Sequence, residues 1–217
     1  MSRKTRETQK IFKVFCEGDT EFNYVDGMRK KLKLSIALKP VNMEGGGYSN
    51  FLDKLKIDSN TNCLAKFIII DGDRAINEKG EKNNLIKLLE YCKLQNSTKK
   101  VPHILIVNYP DFEYIACMHN PKYKGQKVEQ FIIKEMGYKD VNEFKSDKKI
   151  YDVLNINGNS SAQMLLFIKR DNSLVTNKCN INKSKYDIKA ETTYNIKNLG
   201  RKGTNINEYF EIIDEFK

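Results

Sequence analysis

Paired cysteines and histidines are what this sequence lacks, and their scarcity excludes several chemistries. Cys16, Cys63, Cys92, Cys117 and Cys179 are odd in number and widely spaced, with no Cys-x-x-Cys, and the two histidines are His103 and His119. A disulfide framework and a thiolate zinc site are therefore not expected. Most of the cysteines sit in apolar runs and read as small core residues. No run approaches the length of a membrane span. The opening MSRKTRETQKIFKVFCEGD, whose short apolar patch is broken by Lys13, does not read as a signal peptide. A cytoplasmic protein without a membrane partner is expected, and no internal repeat is visible.

Positive charge is abundant. The 217 residues carry 38 Lys+Arg against 28 Asp+Glu, a net charge of +10. Such a balance favours an anionic partner, with nucleic acid ahead of a membrane surface, although Lys-, Asn- and Ile-rich chains also reflect genome composition. The one local excess is at the start, where Arg3, Lys4, Arg6, Lys10 and Lys13 outnumber Glu7. A hydrophobic content of 40% suffices for one core of ordinary size.

From residue 10 to about 107, short apolar strands alternate with helical periodicity. IFKVFC (11–16) reads as a first strand, followed by Phe22, Val25, Met28 and Leu32 at helical spacing behind an Asp19 or Thr20 cap. IALKPVNM (36–43) is a second strand, placed at a sheet edge by Pro40. EGGGYSN (44–50) is a turn leading into a short helix with Phe51, Leu52 and Leu55. KFIIID (66–71) is a continuous apolar run of the kind buried on both faces of a parallel sheet, as is HILIVN (103–108). Between them Leu85, Leu88, Leu89 and Cys92 form an amphipathic helical stripe. The alternation predicts an α/β fold, a Rossmann-like, mostly parallel sheet with flanking helices. It occupies residues 8–120, followed by a mostly helical C-terminal elaboration over 121–217 packed on that core. In the latter, 112–119, 128–138 and 161–170 look helical, and 171–203 reads as a polar Asn- and Lys-rich loop. The last segment, with Ile206, Tyr209, Phe210, Ile213 and Phe216, is an amphipathic helix with Asn205 and Glu208 at capping-box spacing.

Acidic residues follow three of these strands: Glu17 and Glu21 in CEGDTE, Asp71 and Asp73 in FIIIDGDRA, Asp111 and Glu113 after HILIVNYP. In a parallel sheet the carboxyl ends of all strands lie on one edge, where ligands bind. Carboxylates gathered there repel one another and raise each other's pKa, and a hard divalent cation relieves this. Each piece alone is ordinary turn or first-turn chemistry; their joint placement suggests a shared metal site. Gly18 and Gly72 would let backbone approach a ligand closely.

Glu-Gly after the first strand, and an apolar strand ending in Asp-x-Asp, resemble the signature of the TOPRIM domain. More narrowly, CEGDTEFNYVDGMRKKL (16–32), FIIIDGDRA (67–75) and NYPDFEYIACMH (108–119) resemble the RloB-like proteins, TOPRIM proteins of bacterial restriction and abortive-infection loci related to OLD-type nucleases. The resemblance spans roughly residues 10–120, in three blocks, and extends weakly to the final helix after KGTN (202–205). It implies a TOPRIM-like fold and a metal-dependent nuclease in antiphage defence, with a protein partner encoded in the same locus, and leaves self-association open. By the resemblance, Glu17 is the catalytic glutamate or a metal ligand, Asp71 and Asp73 hold Mg²⁺ or Mn²⁺, and Glu21 and Glu113 complete the acidic pocket. Two positions depart from the pattern: Ala75 stands where topoisomerase-type motifs carry a third acid, and Asp111 where a small residue is usual.

Basic residues outside such a pocket would hold a nucleic-acid backbone through its phosphates. The candidates are Arg74, beside the carboxylates, and the Lys-rich segments with Lys99, Lys100, Lys122 and Lys124. Tyr186 and Tyr194, among lysines, make the 171–203 segment a candidate for substrate recognition. His119 has a general-acid and a structural reading. Two rival functions are compatible with the sequence. One is a non-catalytic module that binds or senses nucleic acid or nucleotide. The other is a phosphatase of haloacid-dehalogenase type, which places Asp-x-Asp after an N-terminal strand and so fits Asp71, on the third strand, poorly.

Overall fold

A computed structural model describes residues 10–98, 100–168 and 170–217; Arg3, Lys4, Arg6, Glu7 and Lys99 lie outside the described residues. The chain runs through β1 (Ile11–Cys16), α1 (Asp19–Lys31), β2 (Ala37–Asn42), α2 (Gly47–Ile57), β3 (Cys63–Asp71), α3 (Arg74–Asn77), α4 (Glu81–Ser97), β4 (His103–Tyr109) and α5 (Phe112–Cys117). It continues with α6 (Val128–Lys134), α7 (Val141–Ser146), α8 (Ile150–Val153), α9 (Ser161–Phe167), β5 (Val175–Asn182), β6 (Asp187–Tyr194), β7 (Gly203–Thr204) and α10 (Ile206–Asp214). Strands order as β2-β1-β3-β4-β7, the first four parallel and β7 antiparallel to β4, giving the α/β architecture with a mostly parallel five-stranded sheet. β2 lies at an edge, as Pro40 predicts. No helix among the described residues is long and apolar enough to cross a membrane.

Side chains alternate across the sheet. Phe12 and Val14 of β1, Phe67 and Ile69 of β3, and Ile104 and Ile106 of β4 face one core, closed by α1, by α10 and by buried residues of α5–α9. Phe15, Ile68, Ile70, Leu105 and Val107 face the other, closed by α2 and α4. Both faces are apolar because both are covered, which is why β3 reads as an unbroken run. Gly27 lets α1 approach α8: a methyl group there would overlap Tyr151 Cβ. Although alanine is the better helix former, by roughly 1 kcal/mol, Gly27→Ala is expected to destabilise the protein by about 1–3 kcal/mol through overpacking. Urea denaturation checks this; an unchanged or higher midpoint would refute the close contact.

Several expectations need correction. β3 begins at Cys63 rather than 66. The cap of α1 is Gly18, and Thr20 instead donates its hydroxyl to Glu113 Oε1 at 2.9 Å. Residues 171–203 are not a structureless loop. β5 and β6 form an antiparallel hairpin paired from Val175↔Tyr194 to Asn182↔Asp187, so the C-terminal part is less helical than expected. The sequence does not show its alternation, because polar Asn177 and Thr192 take buried positions beside Val175, Ile188 and Ala190.

Those polar residues complete the outer edge of β4. β7 pairs with β4 only at Asn108 and Tyr109. Below that point amide side chains do the bonding. Asn96 accepts from His103 N–H (2.7 Å) and donates to its carbonyl (3.0 Å). Asn177 and Asn205 both donate to the Leu105 carbonyl, at 3.0 and 2.9 Å. Asn205 also accepts the Val107 N–H at 2.9 Å. Glu208 accepts from both asparagines, at 2.7 and 2.9 Å. Asn205 and Glu208 thus meet as their spacing suggests, but Asn205 makes no side-chain cap on α10.

Candidate active site at the carboxyl edge of the sheet

β1 is followed by α1 on one face of the sheet and β3 by α3 and α4 on the other, so the connections diverge between these neighbouring strands. A crevice forms at such a switch point, and Glu17 and Asp71 stand on either side of it. Glu17 Oε2 accepts the backbone N–H of Asp71 at 2.8 Å. The loop after β2 closes over Glu17, with Gly45 N–H donating to its carbonyl at 2.9 Å. Gly47, at φ +77°, passes so close to Glu81 Oε2 and Arg74 that a side chain there would collide with the carboxylate. Tyr48 donates its hydroxyl to the Asp71 carbonyl at 2.7 Å and fixes the end of β3.

Asp71 continues the row of Phe67 and Ile69 toward α1, and there it meets Glu21 and Glu113. Glu21 and Glu113 are buried, while Asp71 is half-buried, with its Oδ1 atom enclosed and without a hydrogen-bond partner. Burial, then the charges of Glu21, Glu17 and Glu113, push the Asp71 carboxyl far above its ordinary range. Burial and Glu113 raise Glu21 to about 8. Glu17 is raised by burial and held back by the Asp71 N–H and Arg74. Asp111 caps α5, accepting Tyr114 N–H at 2.8 Å, and is raised to about 6 by burial and Glu113. Asp73 opens α3 just past the strand, its N–H donating to the Pro110 carbonyl at 3.1 Å. The fold thus brings acids from three strand ends into one electrostatically linked group.

Two cations border that group. Arg74 lies 3.8 Å from Glu17 and 2.9 Å from Glu78, and its buried Nε has no hydrogen-bond partner. Lys145, which sequence reading missed, lies 3.3 Å from Glu113 Oε2. Burial works against its charge, but Glu113, Asp71 and Asp111 raise its pKa. No motif marks a lysine 74 residues after Asp71; only folding brings it there.

The other basic candidates are less near. Lys100 precedes β4 and so lies at the amino edge of the sheet, roughly 23 Å of strand from the carboxylates, and is not part of this site. Lys122 pairs with Glu135 at 3.4 Å, and Lys124 lies over the Phe167 ring. His119 is structural: it is buried, contacts Tyr24 Oη at 3.1 Å and the Ile115 carbonyl at 3.3 Å, and burial lowers its pKa to about 4. Tyr186 forms the exposed tip of the hairpin, and Tyr194 donates to Glu90.

Among the described residues, no group of three or more His, Cys, Asp or Glu side chains is arranged to hold a metal ion. The donors nevertheless fit a hard cation in kind, being all oxygen and including the unpartnered Asp71 Oδ1. Mg²⁺ usually takes only one or two protein carboxylates, with water and substrate phosphate filling the rest. No protein-family model, curated protein or solved structure matches the chain.

Proposed function

We propose that this chain is a Mg²⁺- or Mn²⁺-dependent nuclease of TOPRIM, RloB-like type, hydrolysing phosphodiesters of DNA or RNA in bacterial antiphage defence. The observation that carries the reading is the meeting of Glu17 and Asp71 across the crevice, with the buried Asp71 Oδ1 lacking any partner among neighbouring acids. Asp71 and Asp73, with Glu17 as a candidate further ligand, would hold the ion, which when bound polarises the phosphate and acidifies water. Glu17, anchored by the Asp71 N–H, would act either as this further ligand or as the base for the attacking water. Without the ion, burial and Glu113 raise the Glu21 carboxyl on the α1 side to about 8, and a bound cation would favour its charged form. Lys145 and Arg74 offset the charge of the cluster and attract the phosphate.

The test is incubation with RNA and DNA pools in Mg²⁺ or Mn²⁺. Cleavage is expected, and Glu17→Gln or Asp71→Asn should lower it by at least about 100-fold, the scale of acid–base and charge-stabilising groups. Cleavage that survives both substitutions, or none with either metal, would refute this function. A second reading is a non-catalytic module that binds nucleic acid or nucleotide, favoured by Arg74 already neutralising Glu17 at 3.8 Å. Tight binding without turnover would establish it.

A further inference from the structure

Beside the acidic crevice, α5 forms one wall of a separate cavity of about 310 Å³, lined by Tyr114, Met118, Tyr123, Lys124, Gly125 and Phe167. Tyr114 and Met118 are four residues apart and share a helix face, and Asp111, the cap of α5, lies one turn before Tyr114. The aromatic wall is therefore continuous with the carboxylate edge. Tyr123 packs edge-on against Tyr114 and Phe131, with centroids 6.2 and 4.9 Å apart, and is fixed by a 3.0 Å hydrogen bond to the Gln126 carbonyl. Phe167, at the end of α9, is 39% exposed and leaves ring surface at the mouth.

Two ammonium groups stand over this wall. Lys124 Nζ lies 5.4 Å from the Phe167 centroid, and Lys202 Nζ 5.3 Å from that of Tyr114. Lys202 precedes Gly203, which pairs with Tyr109 at the carboxyl end of β4, so its backbone lies at the same sheet edge as the crevice. The volume is at the small end of ligand sites, roughly 300–1,000 Å³. An apolar slot of aromatic rings flanked by lysines matches a flat, uncharged π-system carried on a polyanion, since bases stack on aromatic faces while cations hold the backbone.

We infer that Phe167, at the mouth of the cavity whose floor is the buried Tyr114 and Tyr123, is a stacking platform for an unpaired nucleobase, with Lys124 and Lys202 on the flanking phosphates, so that the substrate is single-stranded where it crosses the crevice. The inference rests on nucleic acid being the substrate, but not on hydrolysis. A base inside a duplex is already stacked and could not enter.

Fluorescence anisotropy with labelled oligonucleotides in EDTA tests it, since cleavage is then silent. Single-stranded RNA or DNA should bind more tightly than the duplex of the same sequence and than an abasic strand of equal length. Phe167→Ala should weaken single-strand binding by roughly 5- to 150-fold while leaving abasic-strand binding unchanged, and Phe167→Trp should restore it. Preference for the ribose or the deoxyribose strand identifies the sugar, and either preference supports the subsite. Equal binding of duplex, abasic and base-bearing strands, or an inert Phe167→Ala, overturns it. Base-dependent binding without cleavage in Mg²⁺ or Mn²⁺ sinks hydrolysis alone.

Discussion

Stability in the absence of metal is expected to fall as pH rises from about 5 to 8.5, and Glu21→Gln is expected to remove much of that fall. Glu21 holds its proton up to about 8 in the folded chain, but only to the ordinary carboxylate value, about 4.3, when unfolded. Between those values the folded state binds more protons, so stability decreases with pH. The contribution is complete below the unfolded value and gone above the folded one. Asp71, Glu17 and Asp111 are displaced upward too and act in the same direction. Each unit of displacement corresponds to about 1.4 kcal/mol, so the linked acids together account for a few kcal/mol at pH 8.5. One kcal/mol shifts Tm by about 2–4 °C in a chain of this length. Mg²⁺ or Mn²⁺ should raise Tm more at pH 8.5 than at pH 5, because a cation binds the deprotonated cluster. Thermal unfolding at the two pH values, with and without metal, is the measurement. A Tm at pH 8.5 equal to or above that at pH 5 without metal, with Glu21→Gln inert, would show that the acids do not interact as described.

The second large effect lies at the opposite edge of the sheet. Lys13, Lys66 and His103 are register partners across β1, β3 and β4. Lys66 is 1% exposed, and both lysines share one carboxylate, Asp58, with each Nζ 2.8 Å from it. Removing Asp58 would strand two buried ammonium groups, a loss of about 3–5 kcal/mol for such pairs. The lower end, about 3 kcal/mol, is expected for Asp58→Ala, because the Ser59 and Asp58 carbonyls still accept from Lys13 and Lys66. Burial acts to raise the Asp58 pKa, yet hydrogen bonds from the two lysines hold it below the ordinary value. Its stabilisation is therefore present above about pH 4 and lost as pH falls through the folded value. Chemical denaturation of Asp58→Ala and of Asp58→Ala/Lys66→Met measures the effect; the double variant should recover part of the loss. If the single variant unfolds at the wild-type midpoint, the lysines find other partners.

The legibility of the molecule followed the polarity of its parts. β1, β3 and β4 were readable because both faces of the sheet are covered, leaving continuous apolar runs, and the acids at their ends stood out against those runs. The same signal concealed Lys66, which looks like a strand start but is buried within β3, and the burial of Lys13 inside β1. It also concealed the hairpin, where Asn177 and Thr192 sit at inward positions that ordinarily mark a strand by being apolar. Glu21 was legible as an acid one turn into α1 but not as a buried one. Lys145 depends wholly on tertiary placement, as does the position of Lys100 away from the crevice. The resemblance to RloB-like proteins pointed to the acids at the strand ends; Lys124, Lys202 and Phe167 come together only through the fold.

The asparagine side chains along β4 also affect association. An exposed strand flank is a template on which other chains can add, by strand exchange or fibrillar stacking. Here the carbonyl of Leu105 and the amide of Val107 are already engaged by Asn177 and Asn205, and those of His103 by Asn96. Lateral growth of the sheet is therefore closed on that flank and left to β2, where Pro40 removes one donor.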